Sequence, residues 1–430
     1  MPEPIPAPTP PRRERGPLRY AAGLARGLRD VWLIAGITLA LVVGLEWVLS
    51  MLPPGASSGD ARSRRSSPRE KSRARADAYG GAEWPRAYFE EFHRLDRSLW
   101  VPYVYWRRSP LQGEFITVDA SGRRITPQQI PPGRTQTPPR IFFFGGSTMW
   151  GTGARDASTI PALVGKGMAD QGSPIVAENF GEAGYVSTQE VIAFQLEVRD
   201  GNHPAAAVFY SGVNDLFSVY QHRVAGLPHN EGNRVTEFGL SLRDKRERLY
   251  GTALSAWMDD RAIVRTLRKV VGRETIRFDW GERGESGPWR KPVPEEQWPG
   301  DVARRFRANL ETAAAIADSR GIGSRFYLQP TLFHKPVRTP YEQGVSTKHP
   351  GLDQLAISCY EAIRKEMETS PVRDRFRDLS DIFKDESAPM FIDWCHIAEA
   401  GNERIARAME PDLARLARQP KPGADAPDSF

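Results

Sequence analysis

A serine follows two glycines directly after a short run of apolar residues, and this placement suits a nucleophile. The run spans residues 141–144, and Gly145-Gly146-Ser147 comes next. Such a run is typical of a strand buried on both faces, and glycine lets the backbone turn sharply where the strand ends. Open α/β sheets hold their sites at the carboxyl ends of the strands. Ser147 is therefore a candidate nucleophile, although most Gly-Gly-Ser sequences are only turns.

A serine nucleophile needs a general base and a group that orients this base. Asp393 and His396 stand three residues apart near the C-terminus. From one loop, the carboxylate can hold the imidazole while the other ring nitrogen faces the serine. An Asp-x-x-His sequence can equally be a helix cap. We expect no metal, because no third ligand has a compatible spacing.

Two further strand ends offer donors for an oxyanion. Gly184 lies in the stretch after the predicted second strand, where it can present a backbone N–H. Asn214 follows the predicted third strand and carries a side-chain amide. The alternative for Asn214 and Asp215 is a turn that caps the next segment.

Strands and helices alternate from residue 140 onward. The predicted strands are residues 140–144, 174–179, 206–211, 325–329 and 376–379, and the predicted helices are residues 159–170, 187–199, 301–319 and 352–368. This alternation predicts an α/β fold with a parallel sheet covered on both faces.

Residues 216–300 form an insert that is too long for an ordinary connection. Within it, residues 249–271 resemble a basic helix. An insert at this edge usually shapes a site. A docking surface and a disordered arm are the alternatives.

The charge is concentrated at the N-terminus. Of 430 residues with a net charge of +6, residues 1–77 hold 13 Lys/Arg and 7 Asp/Glu, which leaves 46 of each sign for the remainder. A neutral body lacks the basic surface of a nucleic-acid-binding protein, so we expect no nucleic-acid partner.

Residues 31–52 are apolar except for Glu46 and are long enough to cross a bilayer as one helix. A basic arm, residues 1–30, precedes them, and a flexible linker, residues 53–77, follows. A cleaved signal peptide is disfavoured because the apolar core is too long and no small-x-small site follows. Arginines close to the start of the span predict a cytoplasmic N-terminus. The rest of the chain is then extracytoplasmic, in the periplasm if the cell is Gram-negative.

The segments that flank the alternating region have separate predictions. Residues 78–139 are rich in aromatics, and packing on the main domain is favoured over a platform for sugar. Within them, residues 114–118 and 123–126 are predicted to pair as a hairpin. Residues 416–430 are predicted to be a disordered tail.

Cys359 and Cys395 are too few for a disulfide framework. They are either two buried thiols or one bridge, which an oxidising compartment would permit.

The four strand-end blocks together resemble the SGNH hydrolases, also called the GDSL esterase/lipase superfamily, and the membrane-anchored bacterial members above all. The matching blocks are Gly-Gly-Ser147-Thr, Gly184, Gly212-Val-Asn214-Asp215 and Asp393-Trp-Cys-His396. The resemblance covers a hydrolase domain at residues 140–415. Two positions depart from it: Gly146 stands where the family name has Asp, and Ala398 where a capping Ser or Thr is common.

This resemblance implies a flavodoxin-like three-layer sandwich with a parallel five-stranded sheet, here preceded by one transmembrane helix. It implies a triad of Ser147, Asp393 and His396, with an oxyanion hole from the N–H groups of Ser147 and Gly184 and the amide of Asn214, and no cofactor. The expected activity is hydrolysis of O-acyl groups, such as acetyl, on extracytoplasmic carbohydrate through an acyl-enzyme. An O-acyltransferase that modifies a cell-surface polysaccharide and a non-catalytic anchored glycan-binding module are the alternatives.

Overall fold

The computed structural model describes residues 17–51, 77–95, 97–130, 137–232, 234–235, 292–347 and 351–418, and three single positions between 257 and 264. The chain forms two compact units, residues 1–65 with 236–285 and residues 66–235 with 286–430. The first unit contains helix α1, Pro17–Met51. Its 20 residues from Arg29 to Val48 are the one stretch, among the described helices, that is long and apolar enough to cross a membrane.

The second unit begins with the aromatic-rich segment. Its elements are helix α2 (Trp84–Phe92) and the strands β1 (Ser98–Val101), β2 (Tyr105–Arg108), β3 (Leu111–Gln112) and β4 (Thr117–Val118). β1 pairs with β2, and β3 pairs with β4, each antiparallel. Tyr88 and Phe89 of α2 are buried together with Trp150 and Ile392 from the rest of the unit.

The hairpin predicted for residues 114–118 and 123–126 forms only in part. Its turn closes through a single bridge between Val118 and Arg124. The regular pairing of β4 is instead with β3. The Asp119 carboxylate accepts the N–H groups of Ser121 and Arg123, so the turn is stabilised by side-chain contacts rather than by a longer ladder.

A parallel five-stranded sheet forms the centre of the unit, as predicted. Its strands are β5 (Arg140–Gly145), β6 (Val176–Asn179), β7 (Ala206–Ser211), β8 (Gly323–Leu328) and β9 (Phe376–Asp378). Their order is β6-β5-β7-β8-β9, which is the flavodoxin-like order. The connections change direction between β5 and β7, and in this topology ligands bind at that switch point.

Helices cover both faces of the sheet. They are α3 (Ser147–Trp150), α4 (Ile160–Asp170), α5 (Ser187–Arg199), α6 (Val213–His222), α7 (Trp298–Asp318), α8 (Pro340–Ser346), α9 (Leu352–Glu368) and α10 (Glu399–Arg418). Successive side chains of β5 point to opposite faces. Phe142 and Phe144 pack with α5, α7 and α9. Ile141 and Phe143 pack with α4 and α10. The unit is therefore a three-layer sandwich.

Two predicted boundaries differ from the structure. The first residues of the insert 216–300 belong to α6, because Leu216 and Val219 are buried in the core. At its other end, α7 already begins at Trp298. The helix predicted at residues 249–271 lies largely outside the described residues.

The disordered tail predicted from residue 416 begins too early. Helix α10 continues to Arg418, with Pro411 inside it. Pro411 removes one helical N–H, but Leu413 and Leu416 bury their side chains against the sheet and the helix continues.

Candidate active site

Ser147 is the first residue of α3, directly after β5. A side chain at Gly145 would lie 2.7 Å from the Tyr210 carbonyl oxygen of the neighbouring strand. Only glycine therefore permits this turn without displacing β7. The strand-to-helix turn places the serine at the carboxyl end of β5, the position expected from the sequence. This end of β5 also lies at the switch point of the sheet.

Ser147, His396 and Asp393 form one chain of hydrogen bonds. His396 Nε2 lies 2.7 Å from Ser147 Oγ, and His396 Nδ1 lies 2.7 Å from Asp393 Oδ2. The second carboxylate oxygen of Asp393 accepts the backbone N–H groups of Cys395 and His396 at 3.0 and 2.8 Å. This arrangement holds the imidazole with Nδ1 protonated and Nε2 free to accept the serine proton.

Asp393 is ionised in this setting. Desolvation in the loop would raise the pKa of its carboxyl, but the charge of His396 and the hydrogen bonds from His396 and Cys395 outweigh it and lower the pKa well below the ordinary value. A carboxylate that stays charged can stabilise the imidazolium that forms when His396 takes a proton.

Backbone hydrogen bonds hold the loop that carries Asp393 and His396. The Ala398 N–H donates to Met390 O at 2.8 Å, and the Ile392 N–H donates to His396 O at 2.9 Å. Ala398 is itself buried. The loop therefore does not need a capping Ser or Thr at position 398, because main-chain hydrogen bonds at its base hold it in place.

The two predicted oxyanion donors lie on the same cavity as Ser147 and His396. Gly184 has φ +77°, a conformation that favours glycine. Asn214 donates from Nδ2 to Tyr185 O at 2.7 Å. An amide nitrogen carries two N–H groups, so this bond fixes Asn214 and leaves one N–H for a ligand.

A third donor atom does accompany Asp393 and His396, contrary to the spacing argument made from the sequence. Cys395 Sγ and one atom from each of the other two residues lie within 4.8 Å of one another. Both ring nitrogens of His396 already face Asp393 and Ser147. Burial also raises the pKa of the Cys395 thiol well above its ordinary value, which opposes the thiolate that a metal requires. The donor set therefore fits a hydrogen-bonded triad better than a metal site.

Cys359 and Cys395 are free and buried. Burial raises the pKa of Cys359 to about 12. Of the two alternatives drawn from the sequence, the structure contains the pair of buried thiols.

The cavity also contains residues that the sequence did not single out. It has a volume of about 580 Å³, and its wall includes Trp106, Arg108, His229 and Arg234. His229 packs against Gly184. The short connection after α6 carries it there, and no local motif marks such a placement.

No protein-family model matches the chain, and no curated protein matches it. Among solved structures, the acetyl xylan esterase AlAXEase is similar to this chain with 14% identity and a TM-score of 0.33, over 64% of this chain and 99% of that chain. A member of the lipolytic G-D-S-L family from Veillonella parvula is similar with 10% identity and a TM-score of 0.35, over 64% of this chain and 98% of that chain. The esterase EstA from Pseudoalteromonas sp. is similar with 11% identity and a TM-score of 0.34, over 65% of this chain and 99% of that chain.

Three of the blocks follow the ends of β5, β6 and β7, and the loop that carries Asp393 and His396 follows β9 at a distance; all four line one cavity of the flavodoxin-like unit.

Proposed function

We propose that this protein is a serine ester hydrolase that acts through an acyl-enzyme. The observation that carries the proposal is the relay from Asp393 through His396 to Ser147 Oγ, with 2.7 Å at each step. The relay opens into a cavity that Gly184 and Asn214 also line. Nucleophile, base, orienter and oxyanion donors are the four parts that acyl transfer to serine needs.

In the first half of the reaction, Ser147 Oγ bonds to the acyl carbon while His396 Nε2 takes the hydroxyl proton. The oxyanion accepts hydrogen bonds from the Ser147 and Gly184 N–H groups and from Asn214. The tetrahedral intermediate then expels the alcohol, which receives the proton from His396. In the second half, His396 takes a proton from a water that attacks the acyl carbon. The bond from that carbon to Ser147 Oγ then breaks, His396 returns the proton to Ser147 Oγ, and the carboxylic acid leaves.

Substitution of the nucleophile tests this proposal. We expect Ser147→Ala to lower the turnover of a short-chain aryl ester by at least about 10³-fold. Ser319→Ala is the matched control, because Ser319 is an exposed serine at the end of α7. Unchanged hydrolysis by Ser147→Ala would contradict the proposal.

We further propose that the ester is an O-acyl group, such as acetyl, on carbohydrate. The cavity around Ser147 has room for a sugar ring beside an acyl group, and Trp106, Phe217 and Trp394 supply aromatic wall. The same wall favours a second candidate, transfer of the acyl group to a sugar hydroxyl instead of water. Product analysis with an acyl donor and an oligosaccharide separates the two, since a transferase yields the acylated oligosaccharide and a hydrolase only the free acid.

The proposed location is a membrane, with the N-terminus in the cytoplasm and the catalytic unit outside it. The apolar stretch Arg29–Val48 in α1 supports a single-pass anchor. The basic N-terminal arm supports the orientation.

A further inference from the structure

Part of the cavity wall is aromatic and cationic. It comes from the hairpin β1–β2 and from the connection that follows α6, and it includes Trp106, Arg108 and Arg234. Of the described residues that line the cavity, Asp393 is the one carboxylate, and it is engaged by His396. A cavity with this charge balance attracts anions.

The two arginines differ in how their charge is balanced. Arg108 lies 3.7 Å from the buried Glu182 carboxylate and donates to Leu95 O at 3.0 Å. Arg234 has neither an ion pair nor a hydrogen bond in the described part of the chain, and its buried Nε has no partner. A partly buried cation without a counter-charge is unfavourable, so Arg234 is the one that an anionic ligand would stabilise.

Aromatic rings hold Arg234 in place. Its guanidinium carbon lies 4.7 Å from the ring centroid of Tyr105, 5.1 Å from that of Trp106 and 5.8 Å from that of Trp100. Contact with a ring uses the face of the guanidinium and leaves the N–H groups along its edge free to bind two oxygens of one anion. We call Trp100, Tyr105, Trp106 and Arg234 the anion subsite.

The anion subsite has a fixed relation to the oxyanion donors. Trp106 Nε1 donates to Ala183 O at 2.8 Å, one residue before Gly184. Tyr185 donates from its hydroxyl to Trp106 O at 2.5 Å. Because these two bonds join the hairpin to the Gly184 turn, a group bound at Arg234 would be positioned relative to Ser147.

Exposed aromatic surface continues beyond the cavity. Trp100 is 65% exposed and Tyr103 is 68% exposed, both on the hairpin. Exposed rings beside a site are typical of recognition surfaces, because they offer a rigid apolar face. The apolar face of a pyranose ring can lie on such a surface while its charged substituent reaches Arg234.

We propose that the ester substrate is an acidic saccharide, and that Arg234 binds the acidic group of this saccharide, either a carboxylate or a phosphate. This proposal rests on the proposed function and names the substrate class of the same site. The sequence favoured packing over a sugar platform for this segment. Tyr88 and Phe89 of α2 do pack on the rest of the unit, and the proposal adds a sugar-binding role for the hairpin β1–β2.

Selectivity is the readout that tests the subsite. The substrates are acetylated glucuronic acid, acetylated glucose 6-phosphate and acetylated glucose. We expect the full-length protein in detergent to have a kcat/KM about ten- to a hundredfold higher for one or both acidic esters, as a charge-assisted bidentate contact would give. The acid that is preferred identifies the anion.

Arg234→Gln should remove most of that preference, and Arg234→Lys should restore part of it, because lysine keeps the charge without the bidentate geometry. Arg320→Gln, at an exposed arginine after α7, is the matched control. A wild-type preference for the neutral ester would overturn the proposal. An equal loss on acidic and neutral esters in Arg234→Gln would also overturn it, since that outcome indicates a structural role.

Binding separates a failure of the subsite from a failure of the proposed chemistry. Calorimetry with a non-acylated glucuronic acid oligosaccharide needs no turnover. If no ester is hydrolysed but this oligosaccharide binds the wild type and not Arg234→Gln, the subsite stands and the hydrolase proposal fails. If esters are hydrolysed and the oligosaccharide binds both proteins equally, the subsite is wrong.

Discussion

The position of Asn214 depends on the absence of a side chain at residue 146. A Cβ atom at Gly146 would lie 2.3 Å from Asn214 Nδ2, which is shorter than any real contact. Asn214 is held by its bond to Tyr185 O at 2.7 Å, so a larger residue at 146 must displace the proposed oxyanion donor. The departure from the Asp of the family name thus has a local reason in this chain.

We therefore expect Gly146→Ala to lower kcat on an aryl ester by roughly tenfold or more, since one oxyanion donor is typically worth more than this. Gly165→Ala in α4 is the matched control, because a Cβ there would make an ordinary contact of 3.6 Å with Ala177. Equal kcat values for the two variants would show that turnover does not depend on the position of the Asn214 amide.

Asp215, next to the proposed donor, belongs to a buried acidic pair. Asp215 accepts the Ser187 hydroxyl at 2.6 Å, and the nearby Glu190 accepts the Ser211 hydroxyl. Burial raises the pKa of Asp215 to about 6. Burial and the charge of Asp215 raise the pKa of Glu190 well above its ordinary value. Ionisation of both carboxyls in the core is therefore unfavourable.

This pair predicts a pH dependence of stability. Because the folded pKa of Asp215 is raised, its favourable contribution is complete below the unfolded pKa of about 3.9 and is lost as pH rises through about 6. We expect the free energy of unfolding of the wild type, measured by denaturant titration, to fall between pH 4 and 7. The fall should exceed that of Asp215→Asn by a difference on the order of 2 kcal/mol. Parallel pH profiles would contradict this assignment.

At the scale of elements, the loop that carries Asp393 and His396 is held by the segment after β8. Lys335 and Glu342 form a buried ion pair at 2.7 Å. The same glutamate accepts the N–H groups of Met390 and Phe391 at 3.0 and 3.3 Å, at the start of the loop that carries Asp393. No local pattern indicates this contact, since its partners are about fifty residues apart in the chain.

Glu342→Gln should lower both stability and turnover. It leaves the Lys335 charge buried without its partner, which typically costs about 3–5 kcal/mol, and it loosens the loop. Thermal unfolding and aryl-ester turnover measure the two effects. Glu386→Gln is the matched control, because its partner Arg404 is half exposed and such pairs contribute at most about 1 kcal/mol. Similar losses in the two variants would sink this account of the loop.

The central strands β5 and β7 were predictable because each is a short apolar run followed by a polar or glycine-rich turn. The hairpin β1–β2 was not, because its turn carries no glycine or asparagine signal. Tyr103 and Tyr105 adopt positive φ there, at 69° and 76°, which sequence patterns assign to glycine or asparagine. Helix α6 was missed because Asn214-Asp215 is typical of a turn.

In the candidate site, too, some residues were predictable from the sequence and others were not. Ser147, Gly184, Asn214 and His396 follow strand ends or stand in a short motif, so fold topology alone predicts that they meet. Arg234 and His229 arrive through the connection after α6, where sequence order gives no indication of contact. The Val293 N–H donates to Arg223 O at 2.9 Å, a contact between residues seventy positions apart that the sequence does not indicate.

At the scale of the whole molecule, the proposed anchor fixes where the reaction takes place. With the stretch Arg29–Val48 in the membrane, protease added to intact spheroplasts should digest the chain after residue 78 and spare a tag at the N-terminus. A spared catalytic unit together with a cleaved tag would reverse the orientation, and protection of both would remove the extracytoplasmic location.

Covalent labelling tests the central claim, that Ser147 is a nucleophile activated by His396, most directly. The full chain in detergent is treated with a fluorophosphonate, digested and mapped by mass spectrometry. We predict one adduct, on Ser147, which is lost in His396→Ala and retained in the exposed-serine control Ser319→Ala. A folded wild-type protein that takes up no label, or takes it up on a different serine, would contradict the account.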